Sequence, residues 1–176
     1  LNPLLICLIG AECCGKSTLA QVLAQHFGGV VAPEALRLFC DRHDRTPTQA
    51  EQSSLIDAQL ALEAQALVFA KQQRFTFCDS APLMTAVYSD HYFADTSLYV
   101  QALRLHQRYA LTLWLQPDLP WVADGNWRDG PAARIQVHTL LARALGQVHP
   151  VVAVAGQGVA RVQCAVAAIS SLSRAD

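Results

Sequence analysis

The sequence predicts an α/β fold: a parallel sheet carrying helices on both faces. Three observations lead there. Apolar runs without alternation, such as "PLLICLI" near the start, read as strands buried on both faces. Stretches of helical apolar spacing separate those runs in turn. Strands that alternate with helices in this way are parallel, because each crossover returns the chain to the same end of the sheet.

Taken in order, Leu4 to Ile9 form the first strand. Ser17 to Phe27 form a helix, with apolar residues at Leu19, Val22, Leu23 and Phe27. Val30 to Ala32 is a short strand, and Pro33 opens a helix through about Cys40. "DRHDRTPTQ" is a charged connection. Thr48 then reads as a helix N-cap, with Glu51 three residues on completing a capping box. The Ala/Leu/Gln-rich stretch from Gln49 to Arg74 is helical. "FTFCDS" is the third strand and carries Asp79 at its end. "LMTAVYSDHYF" is a short helix and turn, and a further helix runs from Asp95 or Thr96 to about Arg108. "LTLWLQP" is the fourth strand. "DLPWVADGNWRDGP" is a Pro/Gly-rich loop, too aromatic for a mere linker. Ala132 to Leu145 is helical and stops at Gly146. "HPVVAVAG" is the last strand and Val159 to Leu172 the last helix. No repeat or composition shift divides the 176 residues, so a single domain spanning 1–176 is expected.

Between the first strand and first helix stands "GAECCGKST", which fits G-x-x-x-x-G-K-[ST] with Gly10, Gly15, Lys16 and Ser17 at the fixed positions. A buried strand before it and a helix start after it are the context in which this pattern is a phosphate loop. The glycines let the backbone wrap an anion, and the helix N-terminus adds free N–H groups and a favourable dipole. The expected phosphate-binding residues are Gly10, Ala11, Cys13, Cys14, Gly15, Lys16, Ser17 and Thr18. Lys16 would reach the β- and γ-phosphates, and the Ser17 hydroxyl would ligate Mg²⁺. ATP and Mg²⁺ are therefore the expected cofactors.

Composition narrows the class. The formal net charge is −1, which gives no broad basic field for nucleic acid. No apolar run approaches the ~20 residues needed to span a membrane. Six cysteines, with no C-x-x-C pair and no zinc spacing, suit a reducing cytoplasm. The first strand runs straight into the phosphate loop, so no signal peptide is expected. The six histidines are scattered without ligand spacing.

Ligands of open parallel sheets bind beyond the carboxyl ends of the strands, and those ends carry polar residues. "PEALR" offers Glu34 and Arg37, either as substrate groups or as an exposed i,i+3 pair. Asp79 suits a metal-bound water or the proton of an attacking hydroxyl; the alternative is a helix cap. The aromatic loop adds Asp124 and Arg128, and Arg134 follows. Arg128 and Arg134 would fold over the phosphates and neutralise transition-state charge, or be solvated surface residues. "GQGVAR" supplies Gly156 and Arg161 after the last strand.

The segments "GAECCGKSTLAQVLA", "PEALR", "FCDSAPLMTAVYSD" and "LTLWLQPDLPWVADGNWRDGPAAR", with Gly156 and Arg161, resemble the ribosylnicotinamide kinase domain of bacterial NadR-type proteins. The resemblance covers nearly the whole chain, and the ordered set is far more specific than the phosphate loop alone. It implies a five-stranded P-loop kinase that transfers the ATP γ-phosphate to the 5′-hydroxyl of nicotinamide riboside. Under it Lys16, Asp79, Arg128 and Arg134 are catalytic, Ser17 and Asp79 organise the metal, and Gly156 and Arg161 belong to the nucleotide site. A flat pyridinium acceptor would favour aromatic faces, drawn from Tyr88, Tyr92, Trp121 and Trp127, with Glu34 or Asp124 on the ribose. "ECC" departs from the Ser/Thr-rich loop usual in that family, and nothing here resembles its adenylyltransferase domain. Another nucleoside as acceptor, or a nucleotide switch that only hydrolyses ATP, are the alternatives.

Overall fold

The computed structural model describes residues 3–122 and 130–172. Five strands, β1 (Leu4–Ile9), β2 (Val30–Ala32), β3 (Phe75–Asp79), β4 (Leu111–Leu115) and β5 (Val151–Val154), form one sheet in the order β2-β3-β1-β4-β5. Every pairing is parallel. The α/β fold class read from the sequence is thus borne out, five strands included.

The unalternating strands are those with two covered faces. In β1, Ile6, Cys7, Leu8 and Ile9 have no solvent exposure, and β1 lies mid-sheet between β3 and β4. Helices α1 (Lys16–Phe27) and α7 (Val159–Leu172) pack together; α4 (Pro82–Phe93) packs against α3 (Gln52–Phe69), α5 (Tyr99–His106) and α6 (Pro131–Leu145). These two groups flank the sheet, and α2 (Ala35–His43) lies against α3.

Several element bounds differ from the sequence reading for local reasons. The helix expected from Gln49 begins as a 3₁₀ turn, Gln49–Glu51, carrying the Thr48/Glu51 capping box, before α3 proper. It ends at Phe69 rather than Arg74, since the exposed residues that follow must turn back to enter β3. The helix expected from Asp95 starts only at Tyr99, because the Asp95 carboxylate accepts the Ser97 N–H (2.9 Å) and holds a turn there. Helix α2 starts at Ala35, two residues after Pro33.

Register carries the polar strand ends to one edge. Leu8 of β1 lies beside Asp79 of β3, and the Ser80 N–H donates to the Leu8 carbonyl at 2.9 Å. Ala32 of β2 pairs with Cys78 of β3. The phosphate loop, Asp79 and the Pro33–Glu34 segment are thereby neighbours.

Candidate active site

The loop between β1 and α1 turns on two glycines. Gly15, at φ 76°, sits in the left-handed region directly before Lys16. A Cβ on Gly10 would lie 2.9 Å from the Leu115 carbonyl oxygen, so only glycine lets the loop leave β1 against β4. Lys16 Nζ donates to the Gly10 and Ala11 carbonyls at 3.1 and 3.3 Å, which folds the lysine back over its own loop. Ala11 is buried beneath the loop, while Cys13, Cys14, Ser17 and Thr18 reach the wall of the cavity above it.

That cavity measures about 1110 Å³. A single small-ligand pocket is typically about 300–1,000 Å³, so there is room for parts of two ligands. The phosphate loop forms one wall, and Glu34 and Arg37 stand opposite. Tyr88 and Tyr92, one turn apart on α4, stack on each other with centroids 6.1 Å apart and line the same space. Arg45, paired with Glu51 at 2.7 Å, and Gln52 also line it.

Glu34 is the charged centre of the site. It sits half-buried at the end of β2, accepts a hydrogen bond from the Ser80 hydroxyl and faces Lys16 and Asp79. Burial raises its carboxyl above the ordinary carboxylate range; the Asp79 charge pushes the same way, and Lys16, Ser80 and Arg37 oppose. Asp79 is 5% exposed and does not line the cavity; its Oδ1 is buried with no hydrogen-bond partner among the described residues. An orphaned carboxylate oxygen next to Ser17's loop fits a cation or its bound water, so Ser17 and Asp79 suit Mg²⁺. Burial likewise raises the Tyr88 hydroxyl, with Glu34 and Glu12 adding to it.

The arginines divide. Arg134, on the first turn of α6, is buried rather than solvated. It donates from Nη1 to the Leu119 carbonyl at 2.8 Å and approaches the Cys14 thiol, leaving Nε and Nη2 without partners among the described residues. Arg161 is fully engaged elsewhere. Its Nε, Nη1 and Nη2 donate to the carbonyls of Gly156 (2.9 Å), Val154 (3.2 Å) and Gln116 (3.1 Å), and Nη2 also meets Asp118. Asp118 in turn accepts the Gly156 N–H at 2.6 Å. Gly156 and Arg161 therefore lock the ends of β4 and β5 together around Asp118.

Trp121 is half-buried and off the cavity wall, which its neighbours Pro120 and Val122 line instead. The sequence reading gave neither Asp118 nor Ser80 a part in the site. Both stand just beyond strand ends, where polar residues of a parallel sheet are worth counting. Asp124, Trp127 and Arg128 lie outside the described residues.

A family model described as "AAA domain" matches residues 5–161, most of the chain. The chain belongs to the AAA domain family. It is 32% identical over 122 residues to the trifunctional NAD biosynthesis/regulator protein NadR of Salmonella typhimurium, covering 68% of this chain and 30% of that one. The chain thus spans less than a third of the length of the curated relatives it matches. Two solved structures share the fold of this AAA domain. A NadR protein in complex with NR superposes with a TM-score of 0.80 at 19% identity, covering 97% of this chain and 50% of that one. A NadR protein in complex with NAD and AMP-PNP gives 0.79 at 20% identity, with 97% and 49% covered. The NadR-type resemblance read from the sequence is borne out.

Proposed function

We propose that this AAA domain is an ATP-dependent kinase that phosphorylates the 5′-hydroxyl of nicotinamide riboside, giving nicotinamide mononucleotide. The observation that carries the reading is one cavity in which the phosphate loop faces a carboxylate and a tyrosine pair. A nucleotide switch has no use for that second compartment. The NadR relative and the NadR structures holding NR and AMP-PNP support the same reading.

The loop amides and the N-terminus of α1 bind the donor's phosphates. Lys16 leaves its own loop carbonyls to meet the γ-phosphate, placing positive charge where negative charge develops. Ser17 and Asp79 would hold Mg²⁺, which when bound would neutralise phosphate charge. The sequence reading also gave Asp79 the role of base. Since Glu34 reaches the cavity and Asp79 does not, we assign proton acceptance to Glu34 and leave Asp79 to the metal. Glu34 takes the proton of the acceptor hydroxyl as its oxygen bonds to the γ-phosphorus and the bond to the leaving nucleoside diphosphate breaks. Its raised pKa makes it a better proton acceptor than an ordinary carboxylate. Tyr88 and Tyr92 offer a flat face to the pyridinium ring, and Arg134 adds charge from beneath the loop. The six unpaired cysteines suit the reducing cytoplasm, where we place the activity. No helix of the described residues is long and apolar enough to cross a membrane.

The test is product analysis with ATP, Mg²⁺ and nicotinamide riboside. Stoichiometric nicotinamide mononucleotide and ADP are expected by mass spectrometry. ADP and inorganic phosphate with no phosphorylated acceptor would refute the reading.

A further inference from the structure

Helix α3 buries Gln52, Leu55, Ile56, Gln59, Glu63 and Ala66, and three of those six are polar. Glu63 has no solvent exposure and Gln59 is 3% exposed. Taking a carboxylate out of water is costly unless its partners compensate, and neither residue lines the cavity.

The partners of these two residues lead to Glu34. Gln59 Oε1 accepts the Ala35 N–H at 2.9 Å, and Gln59 Nε2 donates to the Pro33 carbonyl at 3.4 Å. One amide group therefore bonds the peptide units on both sides of Glu34. The same Nε2 donates to Glu63 Oε1 at 3.2 Å. That contact fixes the amide's orientation, because a flipped amide would set its oxygen against the carboxylate and its NH₂ against the Ala35 N–H. Glu63 is held in turn from the opposite end of the sheet. The Tyr109 hydroxyl donates to Oε1 at 2.7 Å, and Arg108 Nη2 stands 2.7 Å from Oε2.

We propose that Gln59 and Glu63 are positioning residues of the kinase, a strut that clamps the backbone either side of Glu34 and keeps its carboxylate turned toward Lys16. This rests on the kinase reading and on Glu34 as proton acceptor. The strut is needed because β2 is only three residues long and lies at the sheet edge, so the ladder alone holds the segment weakly. Around Glu34 stand Lys16 from α1, Asp79 and Ser80 from the end of β3, Arg37 from its own helix and Tyr88 from α4. The Ala35 N–H to Gln59 bond is the contact from α3 that fixes the peptide from which the side chain projects.

The test uses Gln59→Met, which keeps volume and loses all three hydrogen bonds, and Glu63→Gln, which keeps shape and loses the charge. Binding of an unhydrolysable ATP analogue counts the folded molecules. Per binding molecule, Gln59→Met is expected to lose on the order of tenfold or more in kcat, with analogue affinity unchanged. The acid limb of its pH–kcat profile should fall by about half a unit or more as a freed Glu34 becomes better solvated. Glu63→Gln should move both in the same direction by less. Wild-type kcat and an unmoved limb in Gln59→Met overturn the strut; so does a loss confined to thermal stability. If Gln59→Met does not fold, Glu63→Gln decides on the same two readouts. If the wild-type protein phosphorylates no acceptor, the kinase reading fails by itself. Hydrogen exchange at Ala35 then decides the strut: protection lost on Gln59→Met or Glu63→Gln upholds it, and unchanged protection overturns it.

Discussion

Lys16 and His106 show two ways in which single side chains set the behaviour of this domain. Lys16 supports no core: its ammonium rests on two carbonyls of its own loop. Lys16→Ala should leave the far-ultraviolet circular dichroism and melting temperature unchanged while removing most transfer. Loss of one such charge-stabilising group costs on the order of 3 kcal/mol, or roughly a hundredfold in kcat. Near-wild-type turnover would remove the phosphate-loop assignment. His106 is the opposite case, important to the fold and remote from the chemistry. It is 2% exposed, shares a 2.8 Å hydrogen bond with Thr112 through Nε2, and burial lowers its pKa to about 4. The folded state therefore holds it neutral, whereas the unfolded chain protonates it near the ordinary value of about 6.5. The sign follows: its contribution is fully present above about pH 6.5 and is lost as pH falls through about 4. Linkage puts the loss at about 3 kcal/mol. His106→Gln keeps a partner for Thr112 and should flatten the urea-unfolding free energy across that window. An unflattened curve would mean that other groups carry the acid sensitivity.

Strands and phosphate loop were legible because their signals are local. β1 is apolar without alternation since both its faces are covered, and Gly15 is required by the backbone angle beside it. The helix starts were less legible, since they depend on partners distant in sequence. Asp95 looked like a helix start and instead bonds Ser97, Gln49 and Ser89. Gln59 and Glu63 read as ordinary residues of an Ala/Leu/Gln-rich helix, because nothing within α3 reveals which face meets β2. Arg161 is the plainest instance. The resemblance put Gly156 and Arg161 in the nucleotide site, and the sequence did not show that Arg161 also ties three carbonyls and Asp118 together. This clamp joins β4, β5 and α7 at the edge where the strands end. Arg161→Met would strand Asp118 and three acceptors, at a cost on the order of 3 kcal/mol. For a domain of this length that is a fall of roughly 10 °C in melting temperature. Because the clamp holds a loop and touches no reacting atom, KM for ATP should rise with kcat little changed. An unaltered melting temperature would show that the clamp carries no load.

One sheet would serve both halves of the proposed reaction. β1 ends in the phosphate loop, β2 in Glu34 and β3 in Asp79, and β1–β3 pairing brings these ends together at a single mouth. The proposed donor and acceptor compartments are thus parts of one cavity, and each should sense the other's occupant. Binding to the folded state alone stabilises by about 2.7 kcal/mol at a hundredfold excess over Kd, worth roughly 5–10 °C here. Thermal unfolding with Mg²⁺ and an unhydrolysable ATP analogue should show a shift of that size, and Lys16→Ala should reduce it. Nicotinamide riboside alone should give a smaller shift, having only the Glu34–Tyr88–Tyr92 wall to bind. With both present the shift should exceed the sum of the two, because the donor's terminal phosphate and the acceptor's hydroxyl close the cavity on each other and exclude the water between them. Uridine lacks the cationic ring, and in its place should give less coupling, since cation–π attraction contributes roughly 0.5–2 kcal/mol. Tyr92→Ala should bring the two acceptors closer together in their shifts. Strictly additive shifts for every acceptor would mean that the compartments do not communicate, and equal shifts for nicotinamide riboside and uridine would remove the tyrosine pair as the source of selectivity.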